Sequence, residues 1–465
     1  MPKKKPHTYI QFLGAAETVT GSKFLLDTGT SQVLIDCGLF QGPKDIRRRN
    51  WAPLPINASE VDAVVLTHAH IDHCGAIPRL IQQGYPGKIY CTPATKELLG
   101  LLLPDSGHLQ EEEAKYANKK GYSNHVPALP LYTKADAEYA LSRLECLDYG
   151  QEFEVAAGIR VRFHVGGHIL GSAFAEILFE GKRLVASGDL GSYDRVVMRG
   201  PADMPSDVDY ILAESTYGGR SSDSRPVAEQ LREHIAPVLE RGGVVVIPAF
   251  AVGRTTLVLY HIRKLQDEGL LSDVPVYIDS PMATSATKLY CRFGDEHNLK
   301  LSLLKDSGKC QILAKQTHLV RKVEDSKRLN AAAGPMIIIS ASGMVTGGRI
   351  LHHLSNRLPE KKNLVLLVGY QAFGTRGRAL LEGAKKLKLF GRRVTIRAKV
   401  AAINGLSAHG DSDDVIRWLG TLKKKPKKVF LVHGEPEGLK AMAERVQAEL
   451  KFPFHIPTYL QKVLL

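Results

Sequence analysis

The segment Thr67–His73 most constrains what this chain can fold into. It concentrates candidate metal ligands in six residues, namely His68, His70, Asp72 and His73. The preceding Val61–Leu66 is mostly apolar and β-branched, which predicts a buried strand leading into this segment. Because His68 and His70 are two residues apart, both side chains point the same way in extended backbone. Such ligands favour zinc, with manganese or iron as alternatives. A polar loop whose histidines only meet solvent is the other interpretation, and the density of ligands argues against it.

Chain length and charge indicate several domains and a polyanionic partner. The 465 residues exceed what one compact core usually holds, so two or three domains are expected. The formal charge of +14 favours nucleic acid as a partner before membrane. The excess lies in four stretches, Arg47–Arg49, Lys385–Lys388, Arg392–Arg393 and Lys423–Lys428. Each stretch alone is better explained as a solvated surface, and only together do they favour a polyanion.

Membrane and disulfide signals are absent from the sequence. No apolar run is long enough to span a bilayer, and the charged N-terminus is not followed by the apolar segment of a signal peptide. The six cysteines form no Cys-x-x-Cys pair, which argues against a disulfide framework and a sulfur-ligated zinc. These features predict a cytoplasmic protein in a reducing compartment, with no membrane partner.

The order of motifs predicts one domain interrupted by another. Residues 8 to about 60 alternate short apolar runs with glycine turns, which is typical of β-hairpins, whereas the polar stretch 94–145 is predicted to be helical. Candidate ligands occur at 68–73, 168 and 189, and they reappear only at 409 and 433. From about 225 to 385, apolar strands alternate with helical stretches, among them 253–268 and 282–292, which predicts a parallel sheet flanked by helices. The simplest explanation is a metal-binding domain whose chain leaves to build a second domain and then returns.

Several short motifs together resemble the metallo-β-lactamase fold and its β-CASP branch, which includes ribonucleases. The fold is carried by His68-x-His70-x-Asp72-His73, Gly167-His168 and Ser187-Gly188-Asp189. The branch is carried by Ala213–Gly218, Ser407-Ala408-His409 and Val432-His433-Gly434. This resemblance implies an α/β fold, an αββα sandwich with an inserted β-CASP α/β domain. It would divide the chain into 1–213 and 388–465 for the sandwich and 214–387 for the insertion.

The resemblance also implies two zinc ions per chain. The first would be bound by His68, His70 and His168, the second by Asp72, His73 and His433, and Asp189 would bridge them. From spacing alone, Asp189 could equally cap a turn. The resemblance gives Asp36 a supporting role, in which it holds the histidine loop by hydrogen bonds and does not touch metal.

A paired metal centre of this kind predicts hydrolysis of phosphodiester bonds. Asp72 would orient the attacking water as well as bind metal. His409 is the candidate acid for the departing ribose oxygen, with Glu214 holding its tautomer and raising its pKa. In the family, histidine at the position of His433 accompanies action on RNA, whereas valine accompanies action on DNA. The resemblance therefore implies a ribonuclease that leaves 5′-phosphate and 3′-hydroxyl ends, endonucleolytic by preference, with 5′-to-3′ exonuclease activity open.

Substrate phosphates are expected to run between the two domains, along loops rich in small and basic residues. The candidates are Arg254, Ser342, Arg376, Arg378 and Ser407, for each of which helix capping or a surface position is as good an explanation. The segment 370–378 adds an aromatic residue for base stacking to its two arginines. Two alternatives remain: a hydrolase of another substrate on the same fold, and a non-catalytic RNA-binding subunit. The oligomeric state is left open, a homodimer included.

Overall fold

The chain divides into two compact units. The computed structural model describes residues 7–121, 123, 126–219, 225–299, 312–369, 371 and 374–465. One unit comprises residues 1–221 together with 409–465, and the other comprises 222–408. The sequence predicted boundaries at 213/214 and 387/388. In the structure the first segment of this unit is therefore longer than predicted, and its return segment is shorter.

The elements follow one another in three chain segments. The first contains β1 (Tyr9–Phe12), β2 (Phe24–Asp27), β3 (Gln32–Ile35), α1 (Lys44–Arg48), β4 (Ala63–Val65), α2 (Ile71–Cys74), α3 (Ile77–Gln82), β5 (Lys88–Cys91), α4 (Pro93–Lys120), α5 (Lys134–Leu141), β6 (Leu144–Cys146), β7 (Glu152–Ala156), β8 (Ile159–Val165), β9 (Ala173–Phe179), β10 (Lys182–Ala186) and β11 (Tyr210–Glu214). The second contains α6 (Val227–Glu240), β12 (Val244–Pro248), α7 (Arg254–Asp267), β13 (Val276–Ile278), α8 (Pro281–Arg292), β14 (Thr317–Leu319), α9 (Val323–Ala331), β15 (Met336–Ser340), α10 (Ile350–Arg357), β16 (Leu364–Leu367), α11 (Arg376–Leu381), β17 (Lys386–Leu389), β18 (Arg392–Thr395) and β19 (Lys399–Ala402). The third contains α12 (Ser412–Leu419), β20 (Lys428–Val432), α13 (Pro436–Arg445), β21 (Phe454–His455) and β22 (Lys462–Leu464).

Two seven-stranded sheets form the core of the first unit. Their strand orders are β22-β1-β2-β3-β4-β5-β6 and β21-β20-β11-β10-β9-β8-β7. The facing sides share one apolar core, in which the rings of Phe12 on β1 and Phe430 on β20 lie 5.3 Å apart. Strands such as β2 and β11 are buried along their whole length, because one side meets the other sheet and the opposite side meets helices.

Helices cover the outer side of the second sheet. Trp418 of α12 is fully buried, and its ring lies 5.3 Å from that of Phe174 on β9. Met442 of α13 belongs to the same apolar cluster as Ile211 of β11. Helix α12 begins at a capping box, since Asp411 accepts backbone N–H groups and Asp414 reaches back to it. This helix–sheet–sheet–helix arrangement is the predicted αββα sandwich.

Parallel strand ends bring distant chain segments to one edge of the second sheet. Strands β10, β11 and β20 are neighbours and run in parallel, with Ala186 opposite Leu212 and Glu214 opposite Val432. The three loops that follow these strands therefore start at the same edge, although more than two hundred residues separate β11 from β20 in sequence. This topology determines which residues of the return segment can meet those of the first.

The second unit is the predicted parallel sheet flanked by helices. Its six strands are ordered β14-β13-β15-β12-β16-β19, and all the pairings are parallel. The hairpin β17–β18 forms a separate two-stranded sheet. Loops after β12, β15 and β16 lie together at the carboxyl edge, where Ala249 N–H donates to Ser340 O over 3.0 Å.

Cysteine chemistry differs in one detail from the sequence expectation. Cys37, Cys74, Cys91 and Cys146 are free thiols, whereas Cys291 is disulfide-bonded, which its spacing did not predict. Among the described residues, no helix is both long enough and apolar enough to cross a membrane.

Candidate metal centre

A change of backbone conformation within six residues directs the His68–His73 side chains to two places. Strand β4 ends at Val65, and the backbone is still extended at His70, with φ −65° and ψ 144°. The one-turn helix α2 then begins at Ile71. His68 and His70 therefore lie between the strand and the helix, with His70 in extended conformation, while Asp72 and His73 lie on a helical turn. The predicted strand is present, and Asp72 and His73 belong to α2, which precedes the longer helix α3.

Four ligand atoms form the first group, which comes from three separate segments of the chain. Nδ1 of His70 lies 3.1 Å from Nε2 of His68 and 3.0 Å from Nε2 of His168. Oδ2 of Asp189 lies 3.4 Å from Nε2 of both His68 and His168. All four residues could hold one metal ion between them.

The second group uses the other residues of the loop and the return segment. Nε2 of His73 lies 3.1 Å from Nε2 of His433, which is 3.6 Å from Oδ2 of Asp72. The second carboxylate oxygen of Asp189, Oδ1, lies 3.1 Å from Nε2 of His73. Asp72, His73 and His433 could therefore hold a metal ion, with Asp189 placed between the two groups. The structure brings together all seven residues for which the sequence predicted metal binding.

The spacing and the chemistry of these atoms fit zinc. Four ligands at about 2.0 Å from a tetrahedral ion would be separated by about 3.3 Å, and the observed separations in the first group are 3.0–3.4 Å. Oδ1 of Asp189 is buried and forms no well-aligned hydrogen bond among the described residues, although Nε2 of His73 lies 3.1 Å away. A buried carboxylate oxygen is costly unless a cation or donor meets it. The donor set thus fits a divalent cation at each group.

The electrostatics of the cluster also favour bound cations. Burial lowers the pKa of His68 and of His168, and it lowers that of His70 to about 3, with neighbouring imidazoles adding to the effect. These three rings are consequently neutral, as metal ligands must be. Burial acts in the same direction on His73, but Asp189 and Asp36 outweigh it and raise its pKa well above the ordinary value. Without metal, a proton on His73 supplies the positive charge that the two carboxylates require.

Hydrogen bonds hold the ligand rings through their second nitrogen. Asp36 Oδ2 lies 2.7 Å from Nδ1 of His73, and Asp36 Oδ1 accepts the backbone N–H of Thr67 over 2.9 Å. Thr67 Oγ1 in turn lies 3.1 Å from Nδ1 of His68. Ser22 donates to Asp36 Oδ2 over 3.2 Å. Asp36, predicted to support the loop, therefore contacts one ligand directly and another through Thr67.

Two supporting residues were not singled out by sequence reasoning. Thr216 Oγ1 lies 3.0 Å from Nδ1 of His433 and also donates to the His433 carbonyl over 3.1 Å. Ser172 Oγ accepts the backbone N–H of His168 over 2.9 Å. A threonine or serine near a motif has no distinctive spacing from which such a role could be predicted. The one indication was for Thr216, which lies two residues after Glu214.

A glycine permits the approach of the Asp189 loop to the histidine loop. Gly188 has φ +54°, and a Cβ atom there would lie 2.6 Å from Cβ of Thr67. Any larger residue would push the two loops apart. The Ser187-Gly188-Asp189 motif is therefore explained by close packing as well as by the carboxylate.

His409 lies beside the centre and is bound to Glu214. Its Nδ1 lies 3.2 Å from Glu214 Oε2, and its Nε2 lies 3.7 Å from Asp189 Oδ2. The other oxygen of Glu214 accepts the backbone N–H of Leu190 over 2.7 Å. Burial disfavours the charged form of His409, but Glu214 and Asp189 outweigh burial and raise its pKa to about 9. His409 is thus a protonated imidazole with 19 % of its side chain exposed, whereas Glu214 is fully enclosed.

The residues predicted to contact substrate phosphates lie in the second unit, and most are held by internal bonds. Arg254 donates to the carbonyl of Val368. Ser342 accepts the backbone N–H of Thr346 over 2.9 Å. Arg376 donates to the carbonyls of Thr346 and Lys388. Arg378 donates to the carboxylate of Glu382. Ser407 is half-buried, one residue before the end of this unit. Their predicted contacts with substrate stay predictions, and residues 370, 372 and 373 of the proposed stacking segment lie outside the described residues.

An αββα sandwich with a buried histidine–aspartate cluster at its strand ends defines a metallo-hydrolase of the metallo-β-lactamase type. Comparison with family models agrees along the chain. Residues 19–232 match the metallo-β-lactamase superfamily, 255–380 match the β-CASP domain, and 393–457 match the Zn-dependent metallo-hydrolase RNA specificity domain.

Similar proteins cover almost the whole chain. Ribonuclease TTHA0252 from Thermus thermophilus is 38 % identical, over 93 % of this chain and 94 % of its own length. An RNase J-like protein from Methanocaldococcus jannaschii is 33 % identical, over 96 % and 97 %. The transcription termination factor FttA of the same organism is 30 % identical, over 98 % of this chain and 71 % of its own. A solved protein of unknown function from Enterococcus faecalis V583 shares the fold, with a TM-score of 0.55, 16 % identity and coverage of 99 % and 100 %.

The chain therefore belongs to the β-CASP branch of the metallo-β-lactamase superfamily and is a metal-dependent hydrolase. The family resemblance and the fold class predicted from the sequence are both confirmed.

Proposed function

We propose that the protein is a two-zinc ribonuclease that hydrolyses RNA phosphodiester bonds. The observation that carries this proposal is the position of Asp189, whose two oxygens face the two ligand groups at 3.1–3.4 Å. A carboxylate in this position would be shared by a pair of ions a few ångströms apart, which is the arrangement suited to phosphoryl transfer. Manganese or iron could occupy the same ligands, although imidazole favours zinc.

Each side chain would have a distinct role. One ion would be held by His68, His70 and His168. The other would be held by Asp72, His73 and His433, and Asp189 would bind both ions. When bound, such a pair supplies an activated water near neutral pH and offsets the charge that builds on the phosphoryl oxygens. Asp72 would keep that water in line with phosphorus and accept its proton, since 21 % of its side chain remains exposed, whereas the other proposed ligands except His70 are buried.

His409 would supply the proton that the departing ribose oxygen needs. Its ring can carry that proton near neutral pH, because Glu214 beside Nδ1 outweighs burial, raises its pKa and keeps the proton in place until a stronger base forms nearby. An alkoxide leaving group is such a base. Glu214 would hold the Nδ1 proton and thereby present Nε2 to the substrate, 3.7 Å from the shared carboxylate. Glu214 is in this sense a positioning residue.

Three features favour RNA as the substrate. The RNA specificity domain model matches residues 393–457, and two similar proteins are named as a ribonuclease and as RNase J-like. The formal charge of +14 favours a polyanion. The histidine at position 433 is the residue type that accompanies RNA in the family. Endonucleolytic cleavage is our preference, with 5′-to-3′ exonuclease activity as the alternative mode.

The test is to incubate the purified chain with a structured, labelled RNA, with and without a chelator, and to analyse both its metal content and the product ends. We expect about two zinc ions per chain, chelator-sensitive cleavage, and products with 5′-phosphate and 3′-hydroxyl ends. His168→Ala should lose cleavage, whereas His164→Ala should retain it, because His164 contacts Glu176 and no ligand. Zinc without cleavage would indicate another substrate, and neither zinc nor cleavage would indicate a non-catalytic subunit.

A further inference from the structure

The hairpin Lys386–Thr395, here called the basic hairpin, carries charge that the metal centre does not use. Between residues 385 and 399 the chain has seven lysines and arginines and no aspartate or glutamate. Leu387 and Leu389 point into the core of the second unit, at 4 % and 1 % exposure. The alternating positions Lys386 and Lys388 consequently face solvent. One side of the hairpin anchors it and the other presents cations.

Like charges face each other across this hairpin. In the strand register, Lys388 lies opposite Arg393, and both side chains are exposed. Such pairs destabilise a hairpin unless an anion is placed between or beside them. The acidic residue nearest in sequence, Glu382, is paired with Arg378. Within the described part of the chain, Lys386, Lys388 and Arg393 form no ion pair, so the positive charge is left for an external partner.

An aromatic residue occupies the tip where a small residue is expected. Phe390 and Gly391 form a two-residue turn, with φ +48° and +79°. This turn strongly prefers asparagine or aspartate followed by glycine, because both central residues need positive φ. A phenylalanine there is strained, and strain of this kind is concentrated at ligand-binding positions.

The ring of Phe390 is exposed and oriented for stacking. It is 56 % exposed, and it lies 4.5 Å from the ring of His352, at an interplanar angle of 30°. His352, on α10, is itself exposed. One face of Phe390 is thus supported by a ring, while more than half of its surface remains in solvent. An aromatic ring that a second ring holds in place is pre-organised to receive a flat partner.

The hairpin is also held in one position. Arg376 donates to the carbonyl of Lys388 over 3.0 Å and to that of Thr346 over 3.1 Å, which ties the first hairpin strand to the loop after β15. The backbone N–H of Ile396 donates to Lys385 O over 3.0 Å and closes the base. A rigid scaffold lowers the entropic cost of binding at the tip.

We propose that the basic hairpin is a binding site for single-stranded RNA, in which Phe390 stacks on a base while Lys386, Lys388 and Arg393 contact phosphates. A stacking ring among cations is the combination by which proteins bind single strands without reading their sequence. Paired RNA is excluded by the same chemistry, because its bases already stack on one another. This inference rests on the proposed ribonuclease function, to which it adds a substrate contact within the second unit.

The experiment measures affinity separately from cleavage. Binding of the zinc-loaded full chain to a phosphorothioate-linked oligouridylate is followed by fluorescence anisotropy at several salt concentrations. Phe390→Asn removes the ring but suits the positive φ of the turn, and Phe390→Tyr retains the ring. We expect Phe390→Asn to weaken binding on the order of tenfold, within the range measured for removal of one stacking ring, and Phe390→Tyr to bind like the wild type.

The charge contact has its own readout. Lys388→Gln should reduce the slope of log affinity against log salt by about 0.7, the value for one phosphate contact on a single strand. Lys327→Glu changes an exposed charge on α9 of the same unit and serves as the control. It should not show the tenfold loss of affinity expected for Phe390→Asn.

Two results would overturn the proposal. Equal affinities of wild type and Phe390→Asn for oligouridylate would do so. A Phe390→Asn protein that loses binding to phosphatidylserine vesicles but not to RNA would do so as well, because the hairpin would then contact a lipid surface. Cleavage is scored in parallel on the wild-type protein alone, so that absence of RNA hydrolysis there refutes the ribonuclease function and not the hairpin.

Discussion

Asp189 is the residue on which the charge balance of the metal centre depends. Burial disfavours its charged form, but His73, His433, His409 and His68 surround it and hold its pKa well below the ordinary value. It stays a carboxylate in a nearly dry environment, at 1 % exposure. Such a group needs compensating positive charge. Without metal that charge comes from protons on His73 and His409, and with metal it would come from the ions.

The role of His409 can be separated from metal binding. We expect His409→Asn to lower the turnover number on RNA by about 100- to 10,000-fold, the usual contribution of a general acid, while zinc content stays at the wild-type level. The reason is that His409 is paired with Glu214 and is not itself a member of the two ligand groups, although its Nε2 lies 3.7 Å from Oδ2 of Asp189. Single-turnover cleavage and elemental analysis provide the measurements. His318→Asn, an exposed histidine of the second unit, is the matched control. Wild-type turnover in His409→Asn would contradict the acid role.

Asp36 offers a test of how a ligand ring is supported. Its contact with Nδ1 of His73, at 2.7 Å, makes that imidazole a better ligand. We expect Asp36→Asn to weaken zinc binding by about 10- to 100-fold, measured by competition with a chelator of known affinity. Asparagine suits the φ of +57° at this position, so the turn should survive. Asp62→Asn is the control, since the Asp62 carboxylate accepts the backbone N–H of Gln32 and belongs to neither ligand group. Unchanged zinc affinity in Asp36→Asn would disprove the supporting role.

Among the elements, helix α7 contains a buried histidine that is not part of any site described above. His261 is 8 % exposed, and its Nδ1 has no hydrogen-bond partner among the described residues. Burial, with a smaller contribution from Lys264, lowers its pKa from 6.5 to about 4. In the folded state the ring therefore stays neutral under conditions in which the unfolded chain would take up a proton.

This difference predicts acid sensitivity of the second unit. Above pH 6.5 the ring is neutral in both states, and stability is unaffected. As pH falls from 6.5 to about 4, only the unfolded state binds the proton, so the free energy of unfolding decreases, by up to roughly 3 kcal/mol at about 1.4 kcal/mol per pH unit. We expect His261→Leu to lose less stability than the wild type between about pH 7 and pH 4.5, as measured by urea unfolding. His318→Asn is again the control, and parallel pH profiles of wild type and His261→Leu would contradict the prediction.

Individual helices and strands show how far local sequence patterns predict secondary structure. The strand before His68, the helix α7 near 253–268 and the helix α8 near 282–292 are predicted within one or two residues, because apolar periodicity reports burial directly. The helical region 94–145 is in fact α4, a loop and α5 followed by β6. The capping box of Thr133 with Asp136, which starts α5, is a local signal that could have located this break.

At the scale of the whole molecule, the metal ligands connect distant parts of one unit. His68 and His433 are separated by most of the chain, and all seven predicted ligands belong to the unit of residues 1–221 and 409–465. Bound metal would therefore stabilise this unit by linking its first and return segments, and no predicted ligand lies in residues 222–408.

Removal of metal should consequently affect the two units differently. At free metal near a thousand times the dissociation constant, binding contributes about 4 kcal/mol to the folded state. We expect chelation to speed hydrogen exchange in peptides of β10, β11 and β20 and to leave β12, β15 and β16 unchanged, as measured by mass spectrometry. Restoring zinc should reverse the change, whereas magnesium, a poor partner for imidazole, should not. Equal effects on both sheets would rule out a centre confined to the first unit.

The sequence by itself determined the type of site and the class of fold. Both can be recognised from local patterns, namely the dense ligands of His68–His73, the later motifs and the apolar periodicity. Such patterns are local because burial and ligand chemistry depend on the residue type at each position. A turn cap and a shared ligand cannot be told apart at Asp189 from the sequence, and only the tertiary structure places both of its carboxylate oxygens beside histidines. The parallel pairing of β10, β11 and β20 places its carboxylate against histidines from three segments. The same holds for Phe390, whose strained, stacked ring depends on turn geometry and on a helix forty residues earlier. Such contacts depend on which strands are neighbours, and a local pattern carries no information about that.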